Sequence, residues 1–179
     1  MVAITPDHME REIRRYFAAC NAADYDALIS CFTPDAVHYF PPGLPDIPWR
    51  TADVIARKWI WCVENLGSRW SIEKILCSST APEAVIEWTH WKQKANTALR
   101  GDEWYVFDEQ TGLISEIRAY YASKADPSVP ICELYEFDYA ARGYHLQAPE
   151  GSACISASRS SIPPPSGSSS RCNSVSSMW

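Results

Sequence analysis

The sequence predicts an α+β domain in which three N-terminal helices pack on one face of a curved, mostly antiparallel sheet. Apolar residues recur at helical spacing in the N-terminal part of the chain. From Trp70 onward they occur in short extended runs that are separated by turn residues. Helices followed by strands are typical of α+β domains, because the helices can then cover one face of the sheet.

Length and composition exclude several classes of protein. The 179 residues leave room for one domain and an appendage. A net charge of −6 without a basic run argues against nucleic-acid binding. The chain has no run of about 18 apolar residues and no apolar leader, which predicts a cytoplasmic protein without a membrane span. The seven cysteines are scattered without a C-x-x-C pair, so neither a metal site nor a disulfide framework is predicted.

The helices have recognisable ends. Thr5 can cap the first helix and Pro6 fits its first turn. One face of this helix is apolar and comprises Met9, Ile13, Tyr16, Phe17 and Cys20. A second helix is predicted over residues 24–31. A third runs from Thr51 to about Asn65 and stops before Gly67, which suits a C-terminal cap.

The remaining segments are predicted from turn residues and composition. TPDAVHYFPPG, residues 33–43, predicts a turn and a short extended segment that lead into a stiff proline-rich loop. Residues 133–144 predict a short amphipathic helix, and residues 148–179, rich in Ser and Pro, predict a disordered tail. Four extended runs between these segments predict an antiparallel meander: Trp70–Ser78, Ala84–Gln93, Leu99–Phe107 and Leu113–Ala122.

Three stretches in this order resemble one known family. They are REIRRYFAACNAADYDALISCFTPDAVHYFPPG, AVIEWTHW and RGDEWYVFDEQTGLISEIRAYYA. They resemble the SnoaL-like polyketide cyclases within the nuclear-transport-factor-2-like group, over about residues 8–124. The resemblance implies a cone-shaped fold with an internal cavity and a homodimer formed through the sheet. It also divides the chain into a SnoaL-like domain over 1–124, an extension over 125–147 and a tail over 148–179.

Strand alternation sorts the polar candidates by face. In the run from Ala84 to Trp91, the residues Ile86, Trp88 and His90 share one face, which suits a pocket wall. Glu87 lies on the opposite face together with Trp91. In the last strand, strict alternation predicts a common face for Ile114, Glu116, Arg118 and Tyr120, although a bulge would move some of them.

Five residues are candidates for acid–base chemistry: His38, Glu87, His90, Arg118 and Tyr120. Either His38 or Glu87 would serve as the base, because imidazole and carboxylate groups transfer protons readily. Arg118 and Tyr120 would donate hydrogen bonds to a developing oxyanion.

Each candidate also has a structural interpretation. The histidines can simply be hydrogen-bonded or exposed, and Glu87 can face solvent on its strand. Arg118 can pair with Glu87 or with Asp102 on a neighbouring strand. Asp35 follows a proline, where aspartate is commonly a turn residue, although a catalytic role stays open.

Four aromatic residues are candidates for holding a substrate by stacking and shape: Tyr16, Trp59, Trp88 and Trp104. Packing in the hydrophobic core is the alternative for each of them. The chain has no nucleophile motif and no glycine-rich phosphate loop, so no cofactor is predicted.

The resulting hypothesis is a cofactor-independent cyclase or isomerase that moves protons on a hydrophobic polyketide or terpenoid intermediate of secondary metabolism. One alternative is a hydratase, dehydratase or epoxide hydrolase, for which Asp35 and Glu87 are the best carboxylate pair. Another is a non-catalytic module that uses the fold to bind a ligand or to dimerise. The expected partners are a small hydrophobic substrate and a second copy of the chain, with no nucleic acid and no membrane.

Overall fold

A computed structural model describes residues 4–40, 46–121, 140–141 and 143–149. It confirms the α+β fold. The helices are α1 (Pro6–Ala22), α2 (Tyr25–Ile29) and α3 (Ala52–Leu66). The strands are β1 (Phe32–Tyr39), β2 (Trp49–Arg50), β3 (Ser68–Cys77), β4 (Glu83–Lys92), β5 (Thr97–Phe107) and β6 (Ile114–Tyr121), with a short 3-10 helix at Gln93–Ala95 between β4 and β5.

The predicted caps position the helices. The side chain of Thr5 accepts a hydrogen bond from the His8 N–H at 3.2 Å, and Pro6 opens α1. Asp24 caps α2 in the same manner, and Gly67 ends α3 in the left-handed conformation, with φ at 65°. All the residues of the predicted apolar face of α1 are buried: Met9, Ile13, Tyr16, Phe17 and Cys20.

The segment around Asp35 differs from the predicted turn. Residues Phe32–Tyr39 form one continuous strand, and the irregular step lies between Phe32 and Val37, where the pairing with β6 shifts register. Both ends of the segment are hydrogen-bonded to β6, so the local turn tendency of Pro34 and Asp35 is accommodated as a bulge.

The six strands form one sheet in the order β2-β1-β6-β5-β4-β3. Strands β3 to β6 form the predicted antiparallel meander. Strand β1 runs parallel to β6, which places a segment from the start of the chain beside its last strand. Because the helices pack against β1 and β3, the core lies between them and one face of the sheet. We call this the inner face, and the opposite one the outer face.

A bulge in β6 interrupts the strict alternation that was predicted for that strand. Phe107 pairs with Ile114, but the preceding Val106 pairs with Glu116, so Ser115 is an extra residue. Ile114 therefore points into the core, whereas Arg118 and the residues that alternate with it lie on the outer face.

The C-terminal region is described only in part. Residues 133–139 of the predicted helix lie outside the described residues, and residues 140, 141 and 143 form turns. The predicted tail also lies outside them, apart from Ala148 and Pro149. Within the part of the chain that the structure describes, no helix is long and apolar enough to cross a membrane.

Candidate active site on the inner face

A histidine and a carboxylate meet in the interior of the domain. His38 on β1 and Glu103 on β5 both point from the inner face, and His38 Nε2 lies 3.4 Å from Glu103 Oε1. They approach across β6, where Ala119 faces Glu103 in the pairing and leaves room with its small side chain. His38 is fully buried and Glu103 is 5% exposed, so this pair is shielded from water.

A tyrosine holds the carboxylate in place. The Tyr105 hydroxyl donates a hydrogen bond to Glu103 Oε2 at 2.5 Å, and both residues lie on the inner face of β5. Burial, and then the negative charge of Glu103, raise the pKa of Tyr105 well above its usual value. Tyr105 therefore remains a hydrogen-bond donor at any ordinary pH.

Tyr16 packs against this group from α1. Its ring lies edge-on to Tyr105 with 6.3 Å between centroids, and burial is the main reason why its pKa is raised well above the usual value. The structure therefore places Tyr16 behind Tyr105, where it supports the position of that side chain.

Aromatic rings enclose His38. Phe40 stacks on the imidazole at a centroid distance of 4.1 Å, and the rings of Trp49 and Trp59 lie 5.8 Å and 5.5 Å from it. Among the residues that the structure describes, neither imidazole nitrogen has a partner with hydrogen-bond geometry, and the same holds for the indole N–H of Trp59. Buried polar groups are normally paired, so unpaired ones at one place suggest a site that a ligand completes.

The second candidate histidine lies further along the same face. His90 Nε2 is 2.8 Å from Ser68 Oγ, and its ring stacks on Trp70 at 4.6 Å. Trp70 in turn contacts Trp59 at 5.0 Å, so a row of aromatic rings connects the two histidines. Burial lowers the pKa of His90 well below its usual value, with a smaller contribution from Lys92. His90 is therefore neutral near pH 7.

Alternation along β4 places Trp88 on the inner face, and Gly101 opposite it on β5 leaves space for its ring. A Cβ atom on Gly101 would lie 2.7 Å from Trp88 Cζ2 and 2.6 Å from the Tyr120 carbonyl oxygen. The indole N–H of Trp88 is also buried without a partner among the described residues. Trp88 is thus an unpaired donor on the inner face, in addition to Trp59 on α3.

The other predicted site residues lie on the outer face, away from His38. Glu87 accepts a hydrogen bond from the Tyr144 hydroxyl at 2.6 Å. Arg118 pairs with Glu116 at 3.2 Å and Glu83 at 3.9 Å, rather than with Glu87 or Asp102.

The two remaining outer-face candidates are exposed. Tyr120 and Trp104 expose 57% and 41% of their surface, and Trp104 lies under the Arg118 guanidinium. Asp35 is exposed on β1. The structure thus groups His38, Tyr16 and Trp59 around Glu103, and it separates them from Glu87, Arg118, Tyr120 and Trp104.

Glu103 and Tyr105 were missing from the predicted site, although the sequence contains a signal for them. Alternation through β5 places Glu103 on the face that otherwise carries Leu99, Gly101, Tyr105 and Phe107. A lone acid on an apolar strand face must be paired or functional when that face is buried. In the described parts of the chain, no three His, Cys, Asp or Glu side chains are grouped so as to hold a metal ion.

Comparison with known proteins identifies the family. The family model for the SnoaL-like domain matches residues 13–117, which is more than half of the chain. The chain therefore belongs to the SnoaL-like domain family. No curated protein matches the sequence.

Solved structures agree with this assignment. A protein of unknown function with a cystatin-like fold from Methylobium petroleophilum PM1 is 45% identical, with a TM-score of 0.66, and the match covers 84% of this chain and 99% of that one. A candidate polyketide cyclase from Sinorhizobium meliloti is 16% identical, with a TM-score of 0.52 and coverage of 62% and 94%. A candidate ketosteroid isomerase from Kribbella flavida is 13% identical, with a TM-score of 0.54 and coverage of 68% and 83%. The two more distant structures show a shared fold.

Proposed function

We propose that the protein is a cofactor-independent enzyme of the cyclase or isomerase type, which moves protons on a hydrophobic carbonyl compound. The buried pair of His38 and Glu103 is the observation that supports this most directly. Membership of the SnoaL-like family and the fold shared with a candidate polyketide cyclase and a candidate ketosteroid isomerase favour the same class of reaction.

His38 is the base in this proposal. A carboxylate 3.4 Å from Nε2 favours the tautomer that carries its proton on Nε2, which leaves Nδ1 with a free lone pair. Nδ1 removes a proton from the carbon next to the substrate carbonyl and returns it at another carbon. The imidazolium formed in between is stabilised by the negative charge of Glu103, which Tyr105 keeps in position.

The developing enolate needs hydrogen-bond donors. The indole N–H groups of Trp59 and Trp88 are buried and unpaired, and Trp59 lies next to His38. Donors that are already in place stabilise an oxyanion without reorganising in the transition state. The aromatic surroundings favour a flat, apolar substrate that carries one carbonyl group.

The substrate reaches His38 only if a side chain moves, since His38 is fully buried. Phe40 covers the imidazole and is itself half-buried, so rotation of its ring would uncover the base. A polyketide or terpenoid intermediate of secondary metabolism would satisfy these requirements.

The hydrolytic alternative receives no support from the geometry. It requires paired carboxylates beside an arginine, whereas Asp35 is exposed on β1 and Glu87 lies on the outer face of β4. Glu103 is paired with a histidine instead. A module that only dimerises is also disfavoured, because His38, Trp59 and Trp88 keep buried polar atoms without partners among the described residues, which favours a bound ligand.

Proton exchange at carbon tests the proposal. We expect the protein to catalyse deuterium exchange next to the carbonyl of a bicyclic β,γ-unsaturated ketone in heavy water, followed by NMR. His38→Ala and Glu103→Gln should each reduce the rate by about 100-fold or more, the usual contribution of a general base. Glu87→Gln is the matched control on the outer face and should retain the full rate. Equal rates in the unmodified protein and the three variants would refute the mechanism.

A further inference from the structure

A second buried carboxylate lies on the outer face of the sheet, away from His38. The Glu73 side chain on β3 is completely buried. Its Oε1 accepts hydrogen bonds from the hydroxyls of Ser71 at 2.7 Å and Thr89 at 2.8 Å, and Arg100 Nη1 lies 3.7 Å away. Arg100 also donates to the Thr89 hydroxyl at 2.5 Å. We call these four residues the Glu73 cluster.

The other oxygen of Glu73 is used by a segment from near the C-terminus. Oε2 accepts a hydrogen bond from the backbone N–H of His145 at 3.0 Å, and His145 Nδ1 lies at the same distance from it. The neighbouring Tyr144 donates its hydroxyl to Glu87 at 2.6 Å, and its ring lies under Arg100 and Lys74. The backbone N–H and imidazole of His145, and the hydroxyl and ring of Tyr144, thus each contact a residue of the sheet.

The segment packs against a part of the outer face that is buried. Thr89 and Trp91 lie on the outer face of β4 but are nonetheless buried, at 0% and 8% exposure. An outer-face position of a sheet is normally covered only where another part of the chain packs on it. His145 contacts Glu73 and the Tyr144 ring lies under Arg100, so the segment provides part of this cover.

We propose that the Glu73 cluster is a specific docking site for a tyrosine–histidine dipeptide, occupied by Tyr144 and His145 of the same chain. The site recognises a donor pair from the backbone and imidazole of histidine, and a phenol in the preceding position. The docked segment belongs to the folded domain, although it lies beyond the family-matched residues 13–117. The match to the Methylobium protein, at 84% of this chain, likewise extends beyond those residues.

Docking has a consequence for the inner face. Thr89 and Trp91 alternate along β4 with Trp88 and His90. The segment therefore packs on the outer side of a strand whose inner side faces the proposed active site. It also occupies the part of the outer face that lies over β3, β4 and β5.

Amide hydrogen exchange in the full chain tests this proposal. We expect the His145 amide to exchange at least 10-fold more slowly than the Gln147 amide. The double variant Tyr144→Phe/His145→Ala should reduce that protection at residue 145 at least 10-fold, and so should Glu73→Gln. Leu146→Ala is the matched control, because Leu146 lies in the same segment and is 56% exposed. It should leave the protection unchanged.

A synthetic peptide tests recognition directly. The indole N–H of Trp91 donates to Ser71 Oγ at 3.4 Å, and we expect it to exchange slowly in the unmodified protein and faster in the double variant. The peptide AARGYHLQAP, which corresponds to residues 140–149, should restore slow exchange when added to the full-length double variant. The same peptide with alanine in place of tyrosine and histidine should not. The proposal is overturned if the His145 amide of the unmodified protein exchanges as fast as that of Gln147, or if both peptides act alike.

Discussion

Glu103 is a buried carboxylate, and each of its two oxygens lies close to a polar side chain. One oxygen accepts the Tyr105 hydroxyl and the other approaches His38. Burying a carboxylate is costly unless its oxygens find polar partners, so the hydrogen bond from Tyr105 and the close approach of His38 both help to hold it. The indole N–H groups of Trp59 and Trp88 are buried without such partners among the described residues, which favours a bound ligand.

Tyr105→Phe removes one of these partners without changing the shape of the side chain. We expect the free energy of unfolding to fall by about 1.5–3 kcal/mol, the usual contribution of a hydrogen bond to a charged group. Urea denaturation measures the change. Tyr120→Phe is the matched control on the outer face, where a change within about 0.5 kcal/mol is expected. Equal effects of the two substitutions would contradict the role given to Tyr105.

Gly101 has no space for a side chain. Gly101→Ala would place a methyl group against the Trp88 ring and the Tyr120 carbonyl, both closer than 3 Å. We expect it to destabilise the protein by about 1–3 kcal/mol, as overpacking does. Urea denaturation followed by circular dichroism measures this effect. Combining Gly101→Ala with Trp88→Phe should recover part of the loss; no recovery would mean that the backbone contact dominates.

At the scale of the element, strand β4 carries two environments on alternate residues. Trp88 and His90 face the core, while Thr89 and Trp91 lie on the outer face, where they contact Glu73 and Ser71 of the Glu73 cluster. Alternation within one strand could be predicted from sequence, and it assigned Ile86, Trp88 and His90 to one face and Glu87 to the other. In β6 the same argument failed at Ser115, because a bulge has no reliable signature in the residue pattern.

The pairing of strands explains what else sequence reasoning missed. Local patterns locate β1 and β5 but do not show that His38 approaches Glu103 across β6. The parallel contact of β1 and β6 joins segments more than seventy residues apart, and no local propensity encodes it. Turn chemistry likewise predicted a turn at Asp35, where pairing with β6 imposes a strand.

The neutral His90, which joins β4 to Ser68 on β3, makes the stability of the protein depend on pH. Its pKa is lowered in the folded protein, so between that value and the ordinary 6.5 the unfolded chain binds the extra proton. The free energy of unfolding is therefore unaffected by protonation of His90 above pH 6.5, and it decreases as the pH falls below 6.5. We expect a slope of up to about 1.4 kcal/mol per pH unit from this residue.

Urea denaturation at a series of pH values measures that slope. His90→Asn cannot titrate in this range but can still bond to Ser68, so its stability should decline less steeply between pH 6.5 and 5. Parallel curves for the two proteins would show that His90 is not held neutral in the fold.

At the scale of the whole molecule, the two faces of the sheet have separate roles. The inner face holds the proposed chemistry, and the outer face carries the Glu73 cluster beside an exposed region with Trp104 and Tyr120. A homodimer through the sheet stays a prediction. If it forms there, Trp104→Glu should convert it to a monomer in analytical ultracentrifugation, whereas Trp61→Glu on α3 should leave the mass unchanged.

We propose that His38, Glu103 and the indole N–H groups of Trp59 and Trp88 form one ligand site. Titration of the ¹⁵N-labelled protein with 2-naphthol, a flat phenol that mimics an enolate, tests it most directly by NMR of the side chains. The indole signals of Trp59 and Trp88 and the ring signals of His38 should shift together with one affinity, while those of the exposed Trp61 and Trp104 stay in place. Shifts confined to Trp61 or Trp104, with His38 unaffected, would contradict the account.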